Sequence, residues 1–275
     1  MLDVNPYQIR TKGTRAGTSA RLPRPVLFAV LVFCFAAAAG PRSLRAGDTV
    51  ALLDRAHQLF AQRDDLQKAA QAAETYRRVL ALEPGNEEAA VFLARVLIWQ
   101  GVVLDRPDCS LAFYQEAAEV TRQALDHHPS DPGLHYWLGA AYALLANNGS
   151  RFKALTLLTP IQEQMEQVLA LNPTYDYGGP YRILGRFYTR APVLLGGNRK
   201  KAEDYLHRAL QIGPRYWLNH LYLADLYLAQ NRLAEARVLL LKVKNSKPEP
   251  GLEPEWKMWR LAAIQALETR FAPTD

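Results

Sequence analysis

Basic side chains are concentrated between residues 177 and 202, a stretch that contains no Asp or Glu. Six bases share it: Arg182, Arg186, Arg190, Arg199, Lys200 and Lys201. The first three are spaced four residues apart, so on a helix they lie along one face. Guanidinium groups bind carboxylates and phosphates through paired hydrogen bonds. The stretch therefore predicts a binding site for an acidic solute or for an acidic surface of a partner protein.

A second interpretation of the same bases stays open. They can form a solvated helix face that pairs with acids of neighbouring helices, such as Glu163, Glu166 or Asp225. Asn198 precedes the last three bases and is a candidate N-cap. The free N–H groups of a helix that begins there favour an anion, which supports the binding interpretation.

Aromatic residues surround the turn Gly178-Gly179-Pro180: Tyr175, Tyr177, Tyr181, Phe187 and Tyr188. They are interpreted either as the lining of an apolar pocket or as core between packed helices. Tyr177 and Tyr181 are kept as candidate binding residues beside the bases. The two glycines predict a turn into a helix that begins near Pro180.

The sequence carries no HExxH, GxSxG, CxxC or P-loop motif. His128 and His135 flank Pro129 and form a weak candidate metal pair, although ordinary histidines are the simpler interpretation. Cys109 is expected in a loop, as a free thiol, as a link between two chains, or as a small buried residue. We therefore expect a protein that is not an enzyme and that needs no cofactor and no metal.

Five segments of the chain share one spacing, in which three packing residues at intervals of four and three are followed five residues later by proline. The segments are Ala72, Tyr76, Val79, Pro84; Ala117, Thr121, Ala124, Pro129; Ile161, Met165, Val168, Pro173; Ala202, Leu206, Ala209, Pro214; and Ala236, Leu240, Val243, Pro248. Four of them follow a second signature, a leucine, a small residue and a large residue three further on. These read Leu93-Ala94 with Leu97, Leu138-Gly139 with Tyr142, Leu184-Gly185 with Tyr188, and Leu223-Ala224 with Tyr227. The small residue allows two helices to approach closely.

The paired signatures resemble the tetratricopeptide repeat (TPR), a helix-turn-helix of 34 residues. The resemblance implies an all-α fold, an α-α superhelix of about five helix pairs over residues 47–250. A capping helix is expected over residues 251–275, because a solenoid must cover its exposed end. Only the last repeat has the standard length, so extra residues are expected inside the others.

Three insertions are predicted at the turns within the repeats. Residues 101–109 are expected to form a loop. Thr159 and Pro160 are expected to start a fresh helix after a short extra helix over residues 150–158. A third insertion covers residues 191–197, after which Asn198 caps the next helix. Asp131 and Pro132 predict another helix start of the same kind.

The first 46 residues are predicted to be a secretory signal peptide. Residues 26–39 are apolar, Arg21 and Arg24 precede them, and a small residue, Ala46, ends the segment. These 46 residues hold seven of the 33 Lys and Arg and one of the 27 Asp and Glu, so they carry the whole net charge of +6. The remainder is neutral, which argues against nucleic-acid binding. Cleavage is favoured over an uncleaved anchor, because a membrane span needs about 20 apolar residues.

From residue 136 onward the sequence resembles the TatT-type family, periplasmic helical-repeat proteins associated with tripartite ATP-independent periplasmic (TRAP) transporters. The residues that carry the resemblance are Asn172-Pro173, Tyr175, Gly178-Gly179-Pro180, Leu184-Gly185-Arg186, Tyr188, Ala191-Pro192, Gly196-Gly197 and Lys201-Ala202. It covers about half of the chain well and the N-terminal repeat weakly. The lipobox that tethers some members is absent from this sequence.

The resemblance implies a non-enzymatic periplasmic protein of a Gram-negative bacterium, with a groove or pore through the fold. It is expected to dock a TRAP solute-binding protein, to hold a small anionic or amphipathic solute, or both. A homo-oligomer stays open. The alternative function is a generic TPR scaffold that binds extended peptides in its concave face in the cell envelope.

Overall fold

The structure, a computed structural model, describes residues 46–104 and 106–271. Within these residues it contains eleven α-helices: α1 (Ala46–Ala61), α2 (Leu66–Leu82), α3 (Glu87–Leu104), α4 (Pro107–Leu125), α5 (Pro132–Asn148), α6 (Arg151–Leu171), α7 (Tyr175–Arg190), α8 (Arg199–Ile212), α9 (Trp217–Ala229), α10 (Leu233–Lys244) and α11 (Glu253–Phe271). The predicted signal peptide lies outside the described residues, except for Ala46. None of the helices in the described part has the length and apolarity needed to span a bilayer.

The helices pack as five consecutive pairs, and α11 packs against α9 and α10. The prediction of an all-α superhelix of five helix pairs and a last helix is therefore confirmed. Helix starts follow the predicted caps: Asp131 Oδ1 accepts from the Leu134 amide at 2.6 Å, and Asn198 Oδ1 accepts from the Lys201 amide at 2.9 Å.

The small residues of the second signature lie where two helices of a pair approach each other. A Cβ atom added to Gly139 would stand 2.4 Å from Met165 Cε of α6, and one added to Gly185 would stand 2.6 Å from Leu206 Cγ of α8. A Cβ atom at either position would therefore require the facing side chain to move. The large residues of both signatures are buried between the helices, apart from Tyr142, which is half-buried.

The first helices of the pairs form the inner layer of the superhelix. Contacts join α3 to α5, α5 to α7, and α7 to α9, whereas the second helices have no comparable contacts with one another in the described residues. Elements that touch their counterparts in the next repeat lie at the smaller radius. The side chains of the first helices that point away from their own partners therefore face the concave side.

Two of the predicted insertions are wrong, because the extra residues lengthen helices instead. Residues 101–109 are almost entirely helical: α3 continues to Leu104 and α4 begins at Pro107. Gly101 leaves room for the Tyr114 ring of α4 to pack against α3, since a Cβ at this position would lie 2.5 Å from that ring. The Ser110 hydroxyl also donates to the Gly101 carbonyl at 2.6 Å and ties α4 to α3. Cys109 thus lies in the first turn of α4, half-buried and as a free thiol.

Helix α6 is a single helix that contains Pro160, so the fresh start at Thr159 is also wrong. A proline inside a helix removes one hydrogen bond and costs roughly 3 kcal/mol. Leu157 and Ile161, on either side of Pro160, are both buried in the core. The packing of these two side chains stabilises the helix on both sides of the proline.

The ends of the superhelix meet. Arg63, in the turn between α1 and α2, is 2% exposed and donates to both carboxylate oxygens of Glu255 in α11, at 2.9 and 2.5 Å. It also donates to the Gly251 carbonyl at 2.6 Å. Trp259 of α11 is buried, 4.8 Å from the Tyr216 ring at the start of α9. Helix α11 therefore covers the last pair and also reaches the first turn.

Candidate functional site

The predicted basic stretch begins at a left-handed turn at the start of α7. Asp176, Tyr177 and Gly178 have φ values of 47°, 57° and 78°. Residues other than glycine rarely adopt such values, so other contacts must hold the turn. A side chain at position 178 would also lack room, because a Cβ atom there would lie 3.0 Å from Ala209 Cα of α8. The regular helix follows this turn, at Gly179 and Pro180.

Arg182 holds the left-handed turn from inside the protein. Its side chain is 2% exposed and forms an ion pair with Asp176, and it also donates to the Asp176 carbonyl at 3.1 Å. It donates further to the Tyr136 hydroxyl at 2.5 Å and to Asn219 Oδ1 at 3.1 Å. The guanidinium also lies 4.3 Å from the centre of the Tyr216 ring. These bonds join α5, α7 and α9 and direct Arg182 into the protein.

The side chains that accept hydrogen bonds from Arg182 also form hydrogen bonds with other groups of the protein. The Tyr136 hydroxyl donates to Asp176 Oδ2 at 2.7 Å, and burial raises the pKa of Tyr136 well above its usual value, which keeps the hydroxyl neutral. The Asn219 amide donates to the carbonyls of Tyr177, Ala209 and Gly213 at 3.0–3.2 Å. The network is a closed structural element, and a ligand from solution does not reach Arg182.

Arg186 pairs with an acid of the next repeat, as the second interpretation of the stretch expects. Its Nη1 lies 2.8 Å from Asp225 Oδ2, and both side chains are less than one-fifth exposed. Burial raises the pKa of Asp225, while Arg186 and Arg190 act to lower it. Arg186 also lies 4.8 Å from the centre of the Tyr222 ring.

The remaining bases lie at the edge of the superhelix, around the turn between α7 and α8. Arg190, Arg199 and Lys200 are exposed. Lys201 is half-buried, with its ammonium 4.3 Å from the centre of the Tyr188 ring. The six bases are therefore divided: Arg182 and Arg186 are used inside the fold, and the other four surround one turn.

The turn itself presents apolar side chains to solvent. Val193 and Leu194, in a 3₁₀ turn over Val193–Leu195, are 85% and 97% exposed. Gly196, at a φ of 94°, ends the 3₁₀ turn, and the Asn198 amide returns to the Tyr188 carbonyl at 3.0 Å. The Gly197 amide also donates to the Pro192 carbonyl at 2.9 Å, so backbone hydrogen bonds close the turn.

The two candidate tyrosines occupy different places. Tyr177 is 45% exposed and stacks on Tyr216 with ring centres 5.0 Å apart. Tyr181 is half-buried and packs against Tyr205 of α8 at 5.7 Å. Neither lies at the exposed tip, and the two rings pack against different partners.

The two histidines of the candidate metal pair bond elsewhere. His128 Nε2 lies 2.7 Å from the Gly85 carbonyl, and both ring nitrogens of His135 have partners, Gln164 and the Pro129 carbonyl. No group of three or more His, Cys, Asp and Glu in the described residues is arranged to hold a metal ion.

The sequence comparison identifies the family. The family model of the TRAP transporter T-component matches residues 67–249, which is well over half of the chain. The chain belongs to the TRAP transporter T-component family. The match includes nearly all of α2, the whole of α3 to α10, and every base of the candidate site.

Solved structures share the TPR fold of this T-component protein. A thermophilic TPR protein from Thermus thermophilus is 24% identical with a TM-score of 0.59, and the alignment covers 79% of this chain and 99% of that one. PilW, a type IV pilus biogenesis factor, is 20% identical with a TM-score of 0.51 over 82% of this chain and 96% of that chain. At these identities the likeness establishes the fold alone. No curated protein sequence matches the chain significantly.

The partners of Arg182 in this T-component chain were not predicted, although the sequence contains one signal for them. Tyr136 and Arg182 both stand two residues before the leucine of their repeat signature, Leu138 and Leu184. Equivalent positions on neighbouring first helices lie side by side, so a tyrosine and an arginine there are placed to bond. The same rule applies to the position two residues after the leucine, where Arg186 of α7 lies beside Asp225 of α9.

Proposed function

We propose that this T-component protein is a non-catalytic periplasmic part of a TRAP-type uptake system that docks a solute-binding protein. The docking surface is the edge around the turn between α7 and α8, named here the basic edge and composed of Arg190, Val193, Leu194, Arg199 and Lys200. The observation that carries the proposal is the exposure of two large apolar side chains between bases in a stretch without acids.

The composition of the basic edge fits a protein partner with an acidic surface. Apolar side chains that are almost fully exposed lose contact with water when a partner covers them, which contributes about 25 cal/mol per Å² of buried apolar area. Arg199 and Lys200 have no ion pair with the described residues, so their charges attract an acidic surface and orient it.

The experiment measures binding of the solute-binding protein of a TRAP system from the same genome to the purified protein by surface plasmon resonance. The variant carries Leu194→Asp with Arg199→Glu and Lys200→Glu. The matched control carries Lys242→Glu and Lys244→Glu, two exposed bases in the last turn of α10. We expect the edge variant to lose affinity by at least about 100-fold, since hot-spot residues at an interface each contribute about 2 kcal/mol or more.

Equal affinity of the edge variant and the control variant would overturn the docking surface. Absence of TRAP transporter genes from the whole genome would overturn the role in uptake itself. Capture of an unrelated envelope protein through the concave face would favour the generic scaffold instead.

A further inference from the structure

We infer that Arg95, on the concave side of α3, binds the carboxylate of a small ligand that has an apolar or aromatic body. This ligand site deepens the expected role in solute handling, and it does not rest on the basic edge, which lies at the turn between α7 and α8. Either proposal can therefore fail alone.

Arg95 differs from the other arginines that line the interior of the superhelix. Arg63, Arg182 and Arg186 are each paired with a carboxylate, on Glu255, Asp176 and Asp225 respectively. Arg95 is half-buried, yet its guanidinium has no hydrogen bond and no ion pair with any residue in the described ranges. A half-buried guanidinium without a protein carboxylate leaves its N–H donors for water or for an anion from solution.

The register of the repeats explains why Arg95 lacks a carboxylate. Arg95, Ala140, Arg186 and Asp225 all stand two residues after the leucine of their repeat signature. Arg186 on α7 meets Asp225 at the equivalent position of α9. Arg95 on α3 meets α5, where that position is Ala140, which has no polar group to offer.

Aromatic rings surround Arg95 in place of an acid. Its guanidinium carbon lies 4.8 Å from the centre of the Phe92 ring, 5.0 Å from that of Phe60 and 5.5 Å from that of Trp137. Such rings stabilise the cation and restrict its orientation, while the in-plane N–H groups stay free to donate. A carboxylate accepts two of those donors at once, and the rings offer contact to the apolar part of the same ligand.

The acid nearest in sequence on the same face of α3 forms no ion pair with Arg95. Glu88, seven residues earlier, lies 3.1 Å from His57 Nε2. The neighbouring hydroxyl is that of Tyr175, which accepts a hydrogen bond from Trp137 Nε1 at 3.2 Å. Burial raises the pKa of Tyr175 to about 12, so at neutral pH this hydroxyl keeps its proton and adds no negative charge near Arg95.

Isothermal titration calorimetry with 3-phenylpropionate, and with the neutral 3-phenylpropanamide, tests the inference. The two probes share one body and differ in the carboxylate. The proteins are the wild type, Arg95→Gln, Arg95→Lys, and the control Arg78→Gln, which removes an exposed arginine of α2. Thermal unfolding of each variant reports whether it is folded.

We expect the wild type and Arg78→Gln to bind 3-phenylpropionate with equal affinity. Both should bind the amide at least about 10-fold more weakly, because the amide cannot form the charge-assisted pair of hydrogen bonds with Arg95. Arg95→Gln is expected to bind both probes as weakly as the wild type binds the amide. Arg95→Lys keeps the charge but loses the planar fork, so its affinity is expected to lie between these values.

Equal binding of 3-phenylpropionate by the wild type and Arg95→Gln, or no saturable binding by the wild type, overturns the site. Neither result bears on the basic edge, whose test uses a different partner and different residues.

Discussion

Arg182 and Arg95 both lie on first helices of the superhelix, and the structure gives them opposite surroundings. Arg182 is 2% exposed and is held by Asp176, Tyr136 and Asn219. Arg95 is half-buried among Phe60, Phe92 and Trp137 without a carboxylate in the described residues. A cluster of basic residues in a sequence therefore identifies charge, but the neighbouring helix decides whether that charge is available.

The difference follows from the cost of burying a charge. A fully buried guanidinium is tolerated only when a carboxylate and further hydrogen bonds replace the water it has lost. Arg182 fulfils this condition within the chain, so its role is to fix α5, α7 and α9 together. Arg95 keeps part of its contact with solvent, and a ligand carboxylate would complete what the chain leaves out.

The largest effect is expected from Arg182→Met. The change leaves Asp176, whose side chain is 14% exposed, without its cation and removes bonds to Tyr136 and Asn219, so the free energy of unfolding should fall by about 3–5 kcal/mol. Urea denaturation followed by circular dichroism measures this. Arg199→Met, at the exposed basic edge, is the control and should leave the unfolding free energy nearly unchanged. Two variants of equal stability would show that the Arg182 network is not structural.

The next effect concerns the junction between the first turn and α11. Arg63→Met leaves the Glu255 carboxylate, 19% exposed, without its partner, and the unfolding free energy should fall by about 2–3 kcal/mol. Lys257→Met at the same junction is the control, because Lys257 and Asp64 form an exposed pair at 3.5 Å. An exposed pair of that kind contributes little. A loss for Lys257→Met as large as that for Arg63→Met would contradict this division.

Ala140→Asp is expected to make Arg95 resemble Arg186. The new carboxylate on α5 stands in the register that Asp225 occupies on α9, so it should pair with Arg95 and compete with an added ligand. Affinity for 3-phenylpropionate should fall about 10-fold or more, measured by calorimetry. Ala140→Asn supplies a group of similar size without the charge and should reduce affinity much less. Undiminished binding by Ala140→Asp would mean that the probe does not bind at Arg95.

The smallest effect is expected from the buried histidine of α9. His220 stands in the register of His135, and its Nε2 donates to the Pro214 carbonyl at 2.8 Å, but its Nδ1 has no partner among the described residues. Burial lowers the pKa of His220, so below about pH 6.5 the unfolded chain binds a proton that the folded chain does not. Stability is therefore complete above that pH and falls below it, by at most ~1.4 kcal/mol per pH unit for one proton.

Urea midpoints of the wild type and of His220→Gln are measured at pH 7.5 and pH 5.5. All other groups titrate in both proteins, so the difference between the two losses of stability is the contribution of His220. The variant should show the smaller loss on acidification. The same loss in both proteins would remove His220 as the cause.

The helical superhelix could be predicted from the sequence because its signals are local. The spacing shared by Ala202, Leu206 and Ala209 repeats in every pair, and Asp131 and Asn198 cap helices without help from distant residues. The continuation of α6 beyond Pro160 could not be predicted, because it depends on the packing of Leu157 and Ile161 against other helices. The loop expected over residues 101–109 and the helix start expected at Thr159 and Pro160 are therefore both absent, because tertiary contacts favour helix at these places.

The site was predicted less completely, for the same reason. The bases of α7 were identified, but Asp176, Tyr136 and Asn219 meet Arg182 across 6 to 46 residues of chain. Arg95 stands alone between apolar residues of α3, and a single base of this kind carries no signal in the sequence. Its lack of a carboxylate becomes visible only when equivalent positions of successive first helices are compared.

The most direct test of this comparison follows the arginine Nε–H signals by NMR while 3-phenylpropionate is added to the ¹⁵N-labelled protein. Arg95→Lys and Arg182→Lys assign the two signals by their disappearance. The Arg95 signal is expected to shift and saturate with the probe while the Arg182 signal stays in place. A saturating shift of Arg182, or an Arg95 signal that does not respond, would contradict this expectation.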